Sequence, residues 1–377
     1  MSAADASPLQ RLSALGQSVW IDFLSRQSIR GGHLQQLIDR DAVVGATSNP
    51  TIFEKAMTQG EAYDEQLHEL AARGCGAAES FWALAETDIA EACERFHPVW
   101  ERTDRRDGYV SIEVDPRLAY ETLETFREAT RLHETIDRPN LLVKIPATKP
   151  GLAAIEDMIA SGRSINITLI FSLRRYAEVA ESYLRGLERL VAEGGDPRKV
   201  ASVASFFVSR IDTEADRRLD EIGGHGELRG KLAVANAKLA YRHYQEVFTG
   251  PRWEFLLAKG ASPQRVLWAS TSTKDPAYAD TKYVEELLGP ETINTMPEDT
   301  IEAYQDHGSP ELRLEGGIDE ASAVFEALQR AGVDYDDVTD TLEREGVEKF
   351  SDSFAQLLAS LEGKLQSLTS RESVSAR

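Results

Sequence analysis

The chain has 377 residues and carries 42 Lys+Arg against 63 Asp+Glu, a net charge of −21. That balance excludes the dense cationic surface that a nucleic acid or an anionic membrane needs, although a local positive pocket can still hold a small anion. Hydrophobic residues make up 42%, enough for a packed core, and no apolar run reaches the ~20 residues of a membrane span.

The N-terminal stretch MSAADASPLQ has neither a basic start nor an apolar segment, so no secretion leader is expected and the cytoplasm is the simplest location. The first strand is expected at SVWIDFL (18–24) and the second at AVVGAT (42–47). An insertion over about residues 55–107 then reads as helical. It holds both cysteines, Cys75 and Cys93, expected as buried free thiols rather than a disulfide. Strands resume at YVSIEVD (109–115), LLVKIPA (141–147), SINITLIF (164–171) and ASVASFFVSRID (201–212). Between and after them, GLAAIEDMIA (151–160), LRRYAEVAESYLRGLERLVAEG (173–194) and LRGKLAVANAKLAYRHYQEVF (228–248) space apolar residues by three and four, the helical period. RVLWAST (265–271) and ETINTM (291–296) bring the strand candidates to eight. Two further helical stretches follow, within about 319–368, placed either outside the sheet or over one mouth of it.

Eight strand-then-helix units with nearly continuous apolar strands predict a parallel sheet covered by helices, and eight is the number that closes a (β/α)8 barrel. An open doubly wound sheet would announce a Gly-rich phosphate loop after its first strand, and neither G-x-G-x-x-G nor G-x-x-x-x-G-K-[ST] occurs in that context. With no linker and no fixed-period repeat, residues 1–377 read as a single barrel domain with the insertion and C-terminal helices attached.

In such a barrel the chemistry gathers at the C-terminal ends of the strands. The polar residues there are Asp22, Asn49, Glu113, Lys144, Asn166, Thr168, Ser205, Arg210, Ser270, Ser272 and Lys274. Lys144 stands in the apolar run LLVKIPAT. Desolvation favours the neutral amine, which attacks ketones to form an imine, an electron sink that needs no metal. The plainer alternative is a lysine paired with Glu113. Asp22 and Glu113 are carboxylates in apolar strands and could move protons, or serve as salt-bridge partners. Asn49, Asn166 and Thr168 could hold hydroxyls or a water, or merely shape turns and strand ends. Arg210 offers a fork for a phosphate, with a rim ion pair to Asp212 or Glu214 as the alternative. The charged run DTEADRRLDE (212–221) reads as a solvated face. Seven scattered histidines with no H-x-H or H-E-x-x-H spacing argue against a metal, and the hydrolase elbow G-x-S-x-G is missing.

Taken together, VWIDFLSR, GATSNPTIFEKA, SIEVDPRLA, LLVKIPAT, SINITLIFS, SFFVSRID and WASTSTKDP resemble transaldolase, in its longer bacterial form, from about Gln17 to Pro297 and on through the C-terminal helices. The resemblance implies a (β/α)8 barrel, an imine mechanism without cofactor, and transfer of a dihydroxyacetone unit between sugar phosphates of the pentose phosphate pathway. It implies Lys144 as the imine former and Asp22 as the proton handler at the cleaved bond. It implies Glu113 acting through a water held also by Thr168. Asn49 and Asn166 would hold substrate hydroxyls, Ser205 and Arg210 the phosphate, and Phe207 would line the pocket. Relatives that favour plain cleavage carry tyrosine at the position of Phe207, so phenylalanine there favours transfer. Shorter members of the family place a second phosphate arginine where this chain has Ser272; Lys274 is the replacement expected. The rival readings are a fructose-6-phosphate aldolase that releases dihydroxyacetone, and a non-catalytic sugar-phosphate binding protein. The sequence leaves monomer and homodimer both open.

Overall fold

The computed structural model describes residues 6–58 and 61–375. Residues 1–5 of the stretch read for a leader, residues 59 and 60 of the expected insertion, and the last two residues lie outside the described residues. Each of the eight apolar segments contains a strand: β1 Ser18–Ile21, β2 Val43–Ala46, β3 Val110–Glu113, β4 Leu141–Pro146, β5 Ile165–Ile170, β6 Ser202–Phe207, β7 Arg265–Ala269 and β8 Ile293–Met296. Each pairs in parallel with the next, and β8 pairs back onto β1, closing the barrel. The strands are buried at nearly every position because both faces are covered, one by the packed barrel interior and one by helices. All six residues of β4 are buried, Lys144 among them.

At the N-terminal end of the barrel, Arg265 and Asp107 form a buried ion pair at 2.9 Å, and Ser18 donates a hydrogen bond to the same carboxylate at 2.8 Å. Such a pair holds the chain together only because each charge is satisfied; removing one partner would strand the other.

Helices Pro50–Thr58, Asp64–Ala72 and Ala77–Arg102 lie between β2 and β3, and helices Ile318–Ala331 and Tyr335–Ser375 follow the barrel. The last of these crosses the C-terminal mouth. Its Phe354 packs edge-on against Phe81 of the insertion at 5.2 Å, and Ser353 accepts a hydrogen bond from Thr51 at 2.9 Å. Its Gly346 lies so near β5 that a Cβ there would meet Leu169 Cδ2 at 3.1 Å. Both placements left open by the sequence are found: helix Tyr335–Ser375 lies over the mouth, and helix Ile318–Ala331 packs outside, against helix Leu232–Val247. Among the described residues no helix is long and apolar enough to cross a membrane. Cys93 is buried and Cys75 half-buried, and both are free.

Several strands end earlier than the apolar runs suggest. The largest difference is β6, expected to reach residue 212 but ending at Phe207, where helix Ser209–Ile222 begins. Ile211, Ala215 and Leu219 are all buried and lie four apart, so the helical period takes over where the apolar run had looked continuous. Arg210 therefore stands in the first turn of a helix, not on a strand. The same helix corrects the reading of 212–221 as a solvated face: Asp212 is 1% exposed, Asp216 5% and Glu214 8%. Asp212 accepts hydrogen bonds from the Ala233 amide at 2.7 Å and the Tyr283 hydroxyl at 2.8 Å. Asp212 and Asp216 are buried because they bind groups far off in sequence, Asp216 the Gly230 amide and the Tyr278 hydroxyl, whereas Glu214 pairs with Arg217 and Arg218 of its own helix and Asp220 and Glu221 are exposed.

Candidate active site

Strand register sets the first layer. Glu113 ends β3 and pairs across the ladder with Lys144 of β4, which pairs in turn with Asn166 of β5. Neighbouring strands thus bring three polar side chains into one row without any helix or loop to position them. Lys144 is 5% exposed; its Nζ lies 3.5 Å from Glu113 Oε2 and donates to the Ser48 carbonyl at 3.3 Å. The Glu113 contact is at the outer limit for a hydrogen bond, so it orients the ammonium more than it locks it. Pairing with Glu113 and a position for chemistry are therefore not alternatives here; the same lysine has both.

Asp22 stands one residue beyond β1, where its amide donates to the Met296 carbonyl at 2.8 Å. Its carboxylate accepts a hydrogen bond from Thr47 at 2.7 Å, and Thr47 lies 2.7 Å from the Thr295 hydroxyl. Lys144, Asp22, Asn49, Ser205, Phe207, Arg210, Ser272 and Lys274 all line a cavity of about 140 Å³. Glu113, Asn166 and Thr168 do not line it. Glu113 borders a smaller cleft behind Lys144, of about 10 Å³. Asn166 is fully buried and its amide is already engaged, donating to Ser111 at 3.0 Å and accepting from Ser205 at 2.7 Å. It therefore orients Ser205 from behind. Asn49 faces the cavity while its carbonyl oxygen accepts the Ile52 amide at 3.1 Å, the turn chemistry that its sequence position suggests. Both oxygens of Glu113 and the hydroxyl of Thr168 are buried without a hydrogen-bond partner. Directly after Thr168 the ladder slips and Leu169 takes a left-handed φ of 60°, backbone strain of the kind that collects at functional sites.

Burial dominates the electrostatics. It pushes the Glu113 carboxyl up to about 7, against the pull of the adjacent Lys144 ammonium. It also raises Asp22, against Lys144 and the Thr47 hydrogen bond. A carboxyl near neutrality is suited to passing protons in both directions. It also carries a stability signature. Between the ordinary 4.5 and about 7, the folded state holds a proton that the unfolded chain has lost. The contribution of Glu113 is therefore fully present below about 4.5 and is lost as pH rises through about 7. Glu113→Gln, which cannot ionise, is expected to gain on the wild type by up to about 3 kcal/mol between those limits. Urea unfolding of both proteins at the two pH values measures this; a difference that ignores pH would show that Glu113 titrates normally.

The other end of the cavity is cationic. Arg210 sits at the N-terminus of its helix, where the peptide dipoles add positive potential, with its guanidinium 5.5 Å from the Phe207 ring. Lys274 donates to Ser272 Oγ at 2.6 Å. Ser270, with φ at 57°, turns the chain out of β7 and shares a 2.9 Å hydrogen bond with Ser209, joining this loop to the helix of Arg210. Thr47 and Thr295, which hold Asp22, are not among the residues that the sequence singles out; their signal is only that each is a polar residue in an apolar strand end. Phe350, from the C-terminal helix, also lines the cavity with its ring 5.9 Å from Lys144 Nζ. It lies 206 residues from Lys144 in the chain, and nothing in its local sequence marks it. Among the described residues no cluster of His, Cys, Asp and Glu could hold a metal.

The family model for transaldolase/fructose-6-phosphate aldolase matches residues 19–361. The chain is 53% identical to a transaldolase of Acidothermus cellulolyticus over 95% of its own length and 97% of the relative's. It is 52% identical to one of Saccharopolyspora erythraea, over 95% and 98% of the two chains, and 52% identical to one of Mycobacterium bovis, over 93% and 95%.

Proposed function

Since this chain belongs to the transaldolase/fructose-6-phosphate aldolase family, we propose that its barrel mouth performs three-carbon transfer between sugar phosphates, as a transaldolase. The observation that carries the reading is Lys144: an amine buried in the barrel, 3.5 Å from a carboxyl poised near neutrality and opening onto a cavity whose far end is cationic. In this reading the neutral amine adds to the C2 carbonyl of fructose 6-phosphate or sedoheptulose 7-phosphate, and water leaves to give a protonated imine. Glu113 supplies and removes the protons of that step. Its unspent oxygens and the free Thr168 hydroxyl can share the water that carries them. Asp22 then takes the proton from the C4 hydroxyl while the C3–C4 bond breaks. Its electron pair flows into the imine, and erythrose 4-phosphate or glyceraldehyde 3-phosphate departs. The dihydroxyacetone unit stays bound as an enamine until an acceptor aldehyde arrives and the steps reverse.

Asn49 faces the bound three-carbon unit, while Asn166 acts through Ser205. Arg210, Ser205, Ser272 and Lys274 take the phosphate. Arg210→Ala is expected to raise KM for fructose 6-phosphate about 10- to 100-fold, the worth of a charge-assisted contact, with a smaller change in kcat; initial rates at varied donor concentration read it, and an unchanged KM would remove the arginine from the phosphate site. Phe207 has no proton to give the enamine, which favours waiting for an acceptor over release of dihydroxyacetone. The rival aldolase activity is separated by adding erythrose 4-phosphate: transfer should then outpace dihydroxyacetone release. Borohydride in the presence of fructose 6-phosphate tests the core of the proposal, since it should fix a three-carbon adduct on the peptide containing Lys144. Adduct formation elsewhere, or none, would defeat it. The two free thiols fit a reducing, cytoplasmic setting, and the insertion and C-terminal helices are taken as parts of the one barrel domain.

A further inference from the structure

Two cations, Arg210 and Lys274, line the phosphate end of the cavity. A third cation, Lys349, does not line the cavity and is exposed; it stands on the C-terminal helix next to Phe350, which does line it. Gly346, Lys349, Phe350 and Ser353 fall on one stripe of that helix by their spacing of three and four. Gly346 abuts β5, Phe350 lines the cavity, and Ser353 is bonded to Thr51. The stripe therefore faces the mouth. Arg210 and Lys274 are close enough to Lys349 to hold its ammonium below the ordinary lysine range, Arg210 most, with partial burial adding to the effect.

Among the described residues no carboxylate lies within ion-pair distance of Arg210, Lys274 or Lys349. Glu345, one turn before Lys349, and Asp22, across the cavity, act on Arg210 only at longer range, and Asp22 reaches Lys274 in the same way. Elsewhere the same helix neutralises the barrel's cations: Glu343 pairs with Arg175 at 3.2 Å and Asp337 with Arg218 at 2.6 Å. Over the cavity it adds positive charge instead. Three like charges with no carboxylate in direct ion-pair contact repel one another, and an anion of more than one charge turns that cost into attraction. A phosphate monoester dianion has the charge, and the oxygens, to meet all three.

We propose that Lys349 is a phosphate-binding residue delivered by the C-terminal helix, completing the sugar-phosphate site beside Arg210 and Lys274 and setting its preference for phosphorylated over unphosphorylated ketoses. This rests on the sugar-phosphate reading given above. It also accounts for a helix laid across the mouth: the helix adds a charge to the one, Lys274, that the loop after β7 supplies. The lysine acts as a point charge, without the fork of an arginine.

The test compares wild type with Lys349→Gln, Lys349→Glu and Lys349→Arg. The ratio of kcat/KM for fructose 6-phosphate to that for fructose should fall about tenfold in Lys349→Gln and further in Lys349→Glu. Inhibition by inorganic phosphate should weaken by a similar factor, and Lys349→Arg should restore most of both. An unchanged ratio with unchanged phosphate inhibition overturns the assignment. So does a loss shared equally by both donors, which would mark a merely structural lysine. Titration calorimetry with inorganic phosphate on wild type and Lys349→Gln needs no turnover. If the wild type transfers no three-carbon unit, the functional reading falls, while a phosphate affinity lowered in the variant still upholds Lys349.

Discussion

Lys144→Ala is expected to lower kcat for three-carbon transfer by on the order of 10⁴-fold or more and to abolish borohydride trapping altogether. The size follows from the role. An acid or base that is removed can be replaced in part by water, but no other group in the cavity can form the covalent bond to the ketose. Lys274 is the other amine lining the cavity, and it sits at the cationic end, hydrogen-bonded to Ser272. The fold should survive. Removing the ammonium leaves Glu113 buried without its neighbour, but burial already raises that carboxyl to about 7, and losing Lys144 pushes it higher still. It then stays protonated at neutral pH and leaves no stranded charge. A thermal melt near wild type, together with the lost adduct, is the expected pair of results. A variant that keeps more than about a hundredth of its activity would show that the reaction does not pass through this nitrogen.

Asp22→Asn is expected to cost about 10²- to 10⁴-fold in kcat, the usual worth of a positioned proton-transfer group. The amide has the same shape, so Thr47 can still donate to its oxygen as it does to the carboxylate at 2.7 Å. What is lost is the ability to take the proton from the C4 hydroxyl. Imine formation, assigned to Glu113 and Lys144, does not require Asp22. Borohydride should therefore trap the whole, uncleaved ketose on the variant, where the wild type yields the three-carbon fragment. Mass spectrometry of the labelled peptide distinguishes the two. A three-carbon adduct in Asp22→Asn, formed at the wild-type rate, would move the proton transfer to another residue. The raised carboxyl of Asp22 fits the assignment, since burial brings its proton affinity toward that of the groups it must serve.

Much of the site is legible in the amino-acid sequence. Lys144, Asp22 and Glu113 are ionisable residues inside or just beyond apolar strands, and an apolar strand gives no reason for a charge except chemistry or a partner. The resemblance to transaldolase supplies their roles, and the register of β3 with β4 places Glu113 opposite Lys144 as those roles require. The limits of legibility are local. Arg210 reads as a strand residue because SFFVSRID has a nearly continuous apolar run, and only the burial of Ile211, Ala215 and Leu219 identifies the helix. Asp212 reads as solvated because its partners, Ala233 and Tyr283, lie two or more elements away. The partners that Asn166 meets inside the barrel, Ser111 and Ser205, lie on other strands and leave no mark in its local sequence.

The amino-acid sequence by itself determined the barrel, the order of its strands and the lysine set in its fourth strand. Each of these depends on short-range pattern: strand-length apolar runs, helical spacing between them, and one lysine where burial is costly. Only the tertiary structure decided which groups meet at the mouth. That Thr47 hydrogen-bonds Asp22 with Thr295 behind it, that the Phe350 ring comes within 5.9 Å of Lys144 Nζ, and that Lys349 falls within electrostatic reach of Arg210 and Lys274 depend on barrel closure and on where the last helix docks. Closure energy comes from apolar burial spread over the whole core, so no local stretch records which distant side chains it will bring together.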